Sequence, residues 1–408
     1  MQMWNPPGCS HSERIFGEVY TSEVFLEMED SIKPFPGCSL EAVVAPVMIY
    51  SDSTHLMNFG DASLWPAYVS LGLLSKYIRA RVTSFSSHHL AYFPSLPDWI
   101  KDEYVKAYGV SPSDAMLMFL KRELMQSIWR LLLDDKFMDA YRNGIVIQCA
   151  DGIKRRVYPR LFTYSADYPE KILLSSIKHL SNCLCPCCLI VKDKVRDLEH
   201  RQNDVKMAHD WIYKRGYPVD GKAINDLLNT KSLTPNCNAF LEVLLGEGVN
   251  FYELFVPDQM HEVKIGGWKS YLNHLIRICH SCGSDVVSKL NKRFRALPTF
   301  GLSTIRKFRT DTSAQKKFAA RDYEDTIQCA FPCFEGLLPE PANAVVLDNL
   351  FDFATWHGFT KLRMHTESTL QVHEALTTSL GKQLHIFETR VCPEFQTKET
   401  PSEAGARL

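Results

Sequence analysis

Residues 42–50, Ala-Val-Val-Ala-Pro-Val-Met-Ile-Tyr, form a near-continuous apolar run with several β-branched side chains. Such a short run reads as a buried strand, which commits the chain to a covered sheet. The run ends abruptly in a polar cluster, Ser51-Asp52-Ser53-Thr54-His55. Two further strand-like runs follow, Trp65–Leu74 and Val82–Phe93, the second closed by Pro94 and Pro97. Residues 100–142 carry Leu117, Leu120, Leu124, Ile128 and Leu132 at helical spacing, and Gly144 stops the pattern.

Residues 145–149 and 157–164 then flank Asp151-Gly152, a strong hairpin signal. The second arm runs into Ser165-Ala166-Asp167, and a helix is expected over Tyr168–Leu180, with Pro169 in its first turn. A helical pattern is also expected in the first 35 residues, through Phe16, Tyr20, Val24, Phe25 and Met28. From about residue 190 to 390 the pattern is mostly helical, broken by prolines, and the tail from Gln396 is polar. The expectation is therefore an α/β layer with a large, mostly helical insertion.

Composition narrows the class. The 408 residues carry 46 Lys+Arg against 47 Asp+Glu, a net charge of -1. That balance argues against a uniformly basic nucleic-acid coat but leaves room for a local basic surface. The first residues hold Pro6, Pro7 and Gly8 with no apolar stretch, so no secretory leader is expected. No apolar run reaches membrane-spanning length. Thirteen cysteines without a leader favour reduced thiols or metal ligands, in nucleus or cytoplasm.

Four constellations could carry chemistry. Asp52 and Asp167 each follow an apolar strand, and catalytic groups gather at the carboxyl ends of strands in open sheets. Two such carboxylates could hold Mg²⁺ or Mn²⁺ against a phosphodiester, or could simply cap turns. Cys185 and Cys188 have the spacing of half a zinc site, or belong to an unliganded thiol cluster. A second zinc pair would come from His261, His357, His365, Cys279 or Cys282. In Asp258-Gln259-Met260-His261-Glu262, Asp258 and His261 share a helix face as ligands or base, or serve as a helix cap and a core histidine.

The fourth is basic. Lys289, Lys292, Arg293, Arg295, Arg306, Lys307 and Arg309 fall within 25 residues that contain no acid, with Phe294, Phe300 and Phe308 interleaved. They suit phosphate contacts, or an ordinary solvated face. Lys154, Arg155, Arg156 and Arg160 sit in the hairpin leading to Asp167, which is expected to place them near a metal site.

The stretch Tyr50-Ser51-Asp52-Ser53-Thr54-His55-Leu56, with Asn58-Phe59-Gly60 and Leu64-Trp65-Pro66, resembles the Plavaka transposase family of fungal mobile elements, within the CACTA-like DDE group. The resemblance continues through Phe162-Thr163-Tyr164-Ser165-Ala166-Asp167-Tyr168-Pro169-Glu170-Lys171, Cys185-Pro186-Cys187-Cys188 and Asp258–Glu262, and on to Lys361–Thr366. It implies an RNase H-like core and metal-dependent cleavage and transfer of DNA at transposon ends and target. Asp52 and Asp167 would be the first two catalytic acids, with Mg²⁺ (or Mn²⁺) and Zn²⁺ as cofactors. DNA would be the partner, a homo-oligomer a further option, and the nucleus the place of work.

On that resemblance the chain divides into an N-terminal helical segment (1–38), a first core part (39–182), a zinc-knuckle start with helical insertion (183–392) and a frayed tail (393–408). The chain is expected to lack the family's N-terminal zinc finger and its third acid, which lies in a Gly-Glu-Leu-Glu-His-like segment. Glu199 reads as a decoy for that acid, and Glu335 and Glu367 as in-chain substitutes. A catalytically defective fragment is therefore expected, with a non-catalytic DNA- or protein-binding relic as the alternative.

Overall fold

The computed structural model describes residues 2–8, 11–33, 35–55, 63–178, 195–229, 232–315 and 318–407. It is a mixed α/β protein whose residues fall into two compact units, Glu18–Asp258 and Met1–Gly17 with Gln259–Leu408.

The first unit is built on a five-stranded mixed sheet. Its strands are β1 (Glu41–Ser51), β2 (Pro66–Leu71), β3 (Ser87–Tyr92), β4 (Ile145–Gln148) and β5 (Lys154–Ser165), in the order β3-β2-β1-β5-β4. β1, β2 and β3 form an antiparallel meander, β5 lies parallel to β1, and β4 pairs antiparallel with β5. Pro46 sits where β2 has already stopped, since the β1–β2 pairing begins at Val47↔Leu71; its missing N–H costs that ladder nothing. The hairpin turn follows the sequence expectation: Gly152 takes φ +81°, and the Asp151 carboxylate accepts from the Ile153 N–H at 3.0 Å.

One irregularity in β5 sets the register of the strand ends. The β1–β5 partner offset is 114 residues up to Val47↔Leu161 and 115 from Met48↔Thr163 onward. Phe162 is the extra residue, a bulge that resets the register of everything after it.

One face of the sheet is packed by helix α1 (Asp114–Leu132) and its neighbours. Ile49, Ala67, Leu161 and Tyr164 are buried there with Trp129, Phe240 and Phe251. The other face leaves Tyr50 and Tyr92 about half exposed.

The span 82–93 is not one strand. Val82–Ser84 is a helical turn and only Ser87–Tyr92 is extended, because the Ser84 hydroxyl donates to the Ile78 and Arg81 carbonyls and closes the turn. The helix after Asp167 is also shorter than expected: α2 spans Tyr168–Leu174. Near the N-terminus the helix covers only Glu23–Ser31, capped by Ser22, while Glu13–Phe16 is a strand paired with His365–Thr366.

The second unit is helical: α3 (Lys269–Cys282), α4 (Ser284–Ala296), α5 (Ala320–Phe334), α6 (Ala342–Thr360) and α7 (Glu367–Ile386) enclose a core around Trp268, Phe294, Phe334 and Phe353. A π-helix, Gln259–Trp268, leads into α3. The tail is tied down at Pro401–Arg407, where Glu403 takes two hydrogen bonds from Arg277 at 2.6 and 2.9 Å. Among the described residues no helix is long and apolar enough to cross a membrane.

Candidate active site at the ends of two parallel strands

Asp52 comes directly after β1 and Asp167 two residues after the end of β5. The strands pair Tyr50 with Ser165, so each aspartate lies two positions beyond the paired residues. The Phe162 bulge produces this match. With the earlier offset, Asp52 would have met Ala166 instead.

Asp52 is half-buried, and its Oδ2 accepts from the Tyr50 hydroxyl at 3.1 Å. Burial first, and then the Asp52 charge, push the Tyr50 phenol up to about 12. Asp167 is the N-cap of α2, its Oδ1 accepting from the Glu170 N–H at 2.9 Å, with Pro169 early in the helix. Both carboxylates keep oxygens beyond these bonds, so this end of the sheet can present acceptors to a cation.

A third carboxylate stands behind them. Glu170 is only 4% exposed. It accepts from the Ser51 hydroxyl and, at 3.0 Å, from the Trp65 Nε1–H; Ser51 Oγ also lies 2.8 Å from the Tyr164 hydroxyl. Burial raises its carboxyl to about 7; the Ser51 and Trp65 hydrogen bonds hold the rise down, and the Asp167 charge adds to it. The sequence pattern gives Glu170 no role of its own. The Asp-x-x-Glu spacing suggests a capping box, in which the glutamate would turn back to the helix start. It turns inward instead and ties α2 to Ser51, the residue before Asp52. Next to it, buried Lys171 donates to the Val256 carbonyl at 2.6 Å.

Cys185 and Cys188 lie outside the described residues. His261 sits half-buried on the π-helix of the helical unit, whereas Asp258 is the last residue of the sheet unit. Of the other suggested zinc partners, Cys279 is fully buried, its thiol pushed up to about 12 by burial. Cys282 is exposed at the end of α3. His357 is buried, and burial brings it down to about 4. His365 stacks on His373. Among the described residues no group of three or more His, Cys, Asp or Glu could hold a metal ion. Glu335 and Glu367 are exposed at helix ends in the helical unit, and the Glu199 side chain lies outside the described residues.

The hairpin cations do not approach the acid end. Lys154–Arg156 begin β5 and Asp167 follows its far end, about 35 Å away at strand rise. A strand leads to its end but also spaces its two ends apart, so proximity in the sequence misled here. Arg155 pairs with Glu41 and Asp151, each at 2.7 Å. Arg156 donates to the Asn143 carbonyl at 2.7 Å and stacks on Phe35, and Arg160 stacks on Tyr141.

The 289–309 segment divides as well. Arg293 donates to the Cys333 and Glu335 carbonyls, at the end of α5. Arg295 pairs with Asp311, Arg306 with Asp322 and Asp325, and Lys307 donates to the Arg295 and Leu297 carbonyls. Lys289, Lys292 and Arg309 are exposed.

The family model described as Plavaka transposase matches residues 5–279, a span holding the whole sheet, both aspartates and Glu170. The chain belongs to the Plavaka transposase family, and its origin is that of a mobile-element transposase. No curated protein matches it.

Proposed function

We propose that this protein descends from, and retains the site of, a transposase that cleaves DNA strands at element ends and transfers them to a target, on an RNase H-like core. The observation that supports this reading is the bulge that brings Asp52 and Asp167 to matching positions on adjacent parallel strands. Such a pair suits Mg²⁺ or Mn²⁺, which accept one or two carboxylates and take the rest of their shell from water and substrate phosphate. Bound there, the cation would supply charge neutralisation for the phosphodiester and a more acidic water or 3′-hydroxyl. The chain's own residues hold the geometry: Tyr50 orients Asp52, the α2 N-cap fixes Asp167, and Glu170 ties the two strand ends together through Ser51.

A second observation sets the strength of that activity. Among the described residues the third carboxylate at this end, Glu170, faces inward to Ser51 and Trp65. Two outward carboxylates hold a cation weakly, so catalysis by this chain alone is weak; at its limit the protein acts as a DNA-binding relic. Nicking of element-end DNA with Mn²⁺ tests this. Slow nicking that disappears in Asp52→Ala and in Asp167→Asn is expected. Salt-sensitive DNA binding with no nicking at all would favour the relic, and nicking unaffected by either substitution would place the chemistry elsewhere.

A further inference from the structure

The open face of the sheet carries four aromatic rings in a row. Tyr50 pairs with Tyr68 across β1 and β2, and Tyr68 with His89 across β2 and β3. The ring centroids are 6.2 Å apart for Tyr50–Tyr68, 4.6 Å for Tyr68–His89 and 5.3 Å for His89–Tyr92. Tyr50 is 47% and Tyr92 52% exposed, so this row is not core. One end of the row is tied to the candidate site through the Tyr50–Asp52 hydrogen bond. The other end, Tyr92, lines a cavity of about 660 Å³ that also includes Ser53, Trp65 and Phe93.

Two cations, Lys121 and Arg122, line the same cavity. Burial lowers the Arg122 guanidinium, and among the described residues no carboxylate offsets it. A partly buried cation on α1 that shares a cavity with the exposed Tyr92 ring at the sheet edge is chemistry for an anion carrying flat, stackable groups. Cross-strand aromatic pairs can serve sheet stability alone. That role needs neither their exposure nor a cavity lined with cations at the end of the row.

We propose that this row and its cavity form one track for an unpaired DNA strand, with bases stacked on Tyr68, His89 and Tyr92 and phosphates drawn by Lys121 and Arg122. The inference deepens the strand-cleavage reading and rests on it for the choice of DNA: it names a single strand, not a duplex, as what lies beside Asp52. Every base has a face that stacks, so the track is tolerant of sequence. Unpairing the strand beside the acids also costs least where the duplex is already frayed or open.

The test uses the full chain in EDTA, so that no cation is needed at the acids. A short single-stranded oligodeoxynucleotide carrying 2-aminopurine is the probe, and the same sequence as a duplex is the comparison. The expected result is a saturable fluorescence change and clearly tighter binding of the single strand. Tyr68→Leu and Tyr92→Leu should each weaken it about tenfold. Arg122→Gln should also weaken it and lower the salt slope by roughly 0.7. Lys121→Gln, at an exposed position that cannot unsettle the core, guards against loss of fold and should act like Arg122→Gln. Equal binding of single strand and duplex, or variants that bind like the parent, would overturn the track. Nicking that persists in those variants with unchanged probe affinity removes the track and leaves strand cleavage standing. Tight, tyrosine-dependent probe binding without nicking removes strand cleavage and leaves the track standing.

Discussion

Glu170 in the sheet unit and Glu324 in the helical unit are both buried, at 4% and 5% exposure, yet their surroundings drive them in opposite directions. Burial, helped by the Asp167 charge, raises Glu170 to about 7 against the hydrogen bonds it accepts from two hydroxyls and an indole N–H. Burial would raise Glu324 too. However, Lys264 at 2.6 Å and Lys361 at 2.9 Å outweigh burial and bring it down to about 2, with Arg321 at 3.4 Å nearby. The difference teaches what each unit is built for. A buried carboxylate ringed by cations is a permanent ionic lock. One held by neutral donors next to another carboxylate is a joint beside the proposed site, where negative charge is already crowded.

Breaking the lock should give the largest effect. Glu324→Ala leaves Lys264 with only 12% of its side chain exposed and without its partner, and should cost about 3–5 kcal/mol in urea unfolding. A loss below about 1 kcal/mol would reduce the network to surface pairs.

The joint should show in the pH dependence of stability. Glu170 is raised from 4.5 to about 7 on folding, so the folded state binds the proton more tightly. Its contribution is present below about 4.5 and is lost as pH rises through 7, worth roughly 3 kcal/mol. Glu324 acts with the opposite sign: its contribution is present above 4.5 and is lost as pH falls towards 2. Unfolding followed from pH 4 to 8 in EDTA should lose the first slope in Glu170→Gln; a parent and variant with parallel curves would show that Glu170 does not titrate in that window.

The smallest expected effect concerns the basic segment of the helical unit. Lys292 is exposed, whereas Arg295 is paired with Asp311. Lys292→Gln should lower the salt slope of duplex DNA binding by about one, and Arg295→Gln by clearly less. Equal slopes for the two would mean that the Asp311 pair opens on DNA.

Much of the fold was legible along the chain. The apolar run at 42–50, the Asp151-Gly152 turn and the leucine spacing before Gly144 each signal through local physics: period, turn geometry and helix stops. The span 82–93 was not, because Ser84 closes a turn inside a stretch of strand-like residues. The two aspartates were legible as strand-end acids. Glu170 was not, because a buried glutamate looks like any helix-start glutamate until its donors are known. The basic segment was legible as charge but not as availability, since Asp311 reaches Arg295, and Asp322 and Asp325 reach Arg306, only in the fold.

By itself, then, the sequence determined the central strands before Asp52 and Asp167, the positions of those two acids and the family to which the chain belongs. Period, turn chemistry and motif order are all properties of neighbours along a chain. Tertiary structure decided which acids face outward, which cations remain available and which rings line up across the sheet. The cations depend on ion pairs within the helical unit and the rings on the register of β1 to β3, while a single extra residue, Phe162, shifts the β1–β5 register and gives the two aspartates matching positions beyond the strand ends.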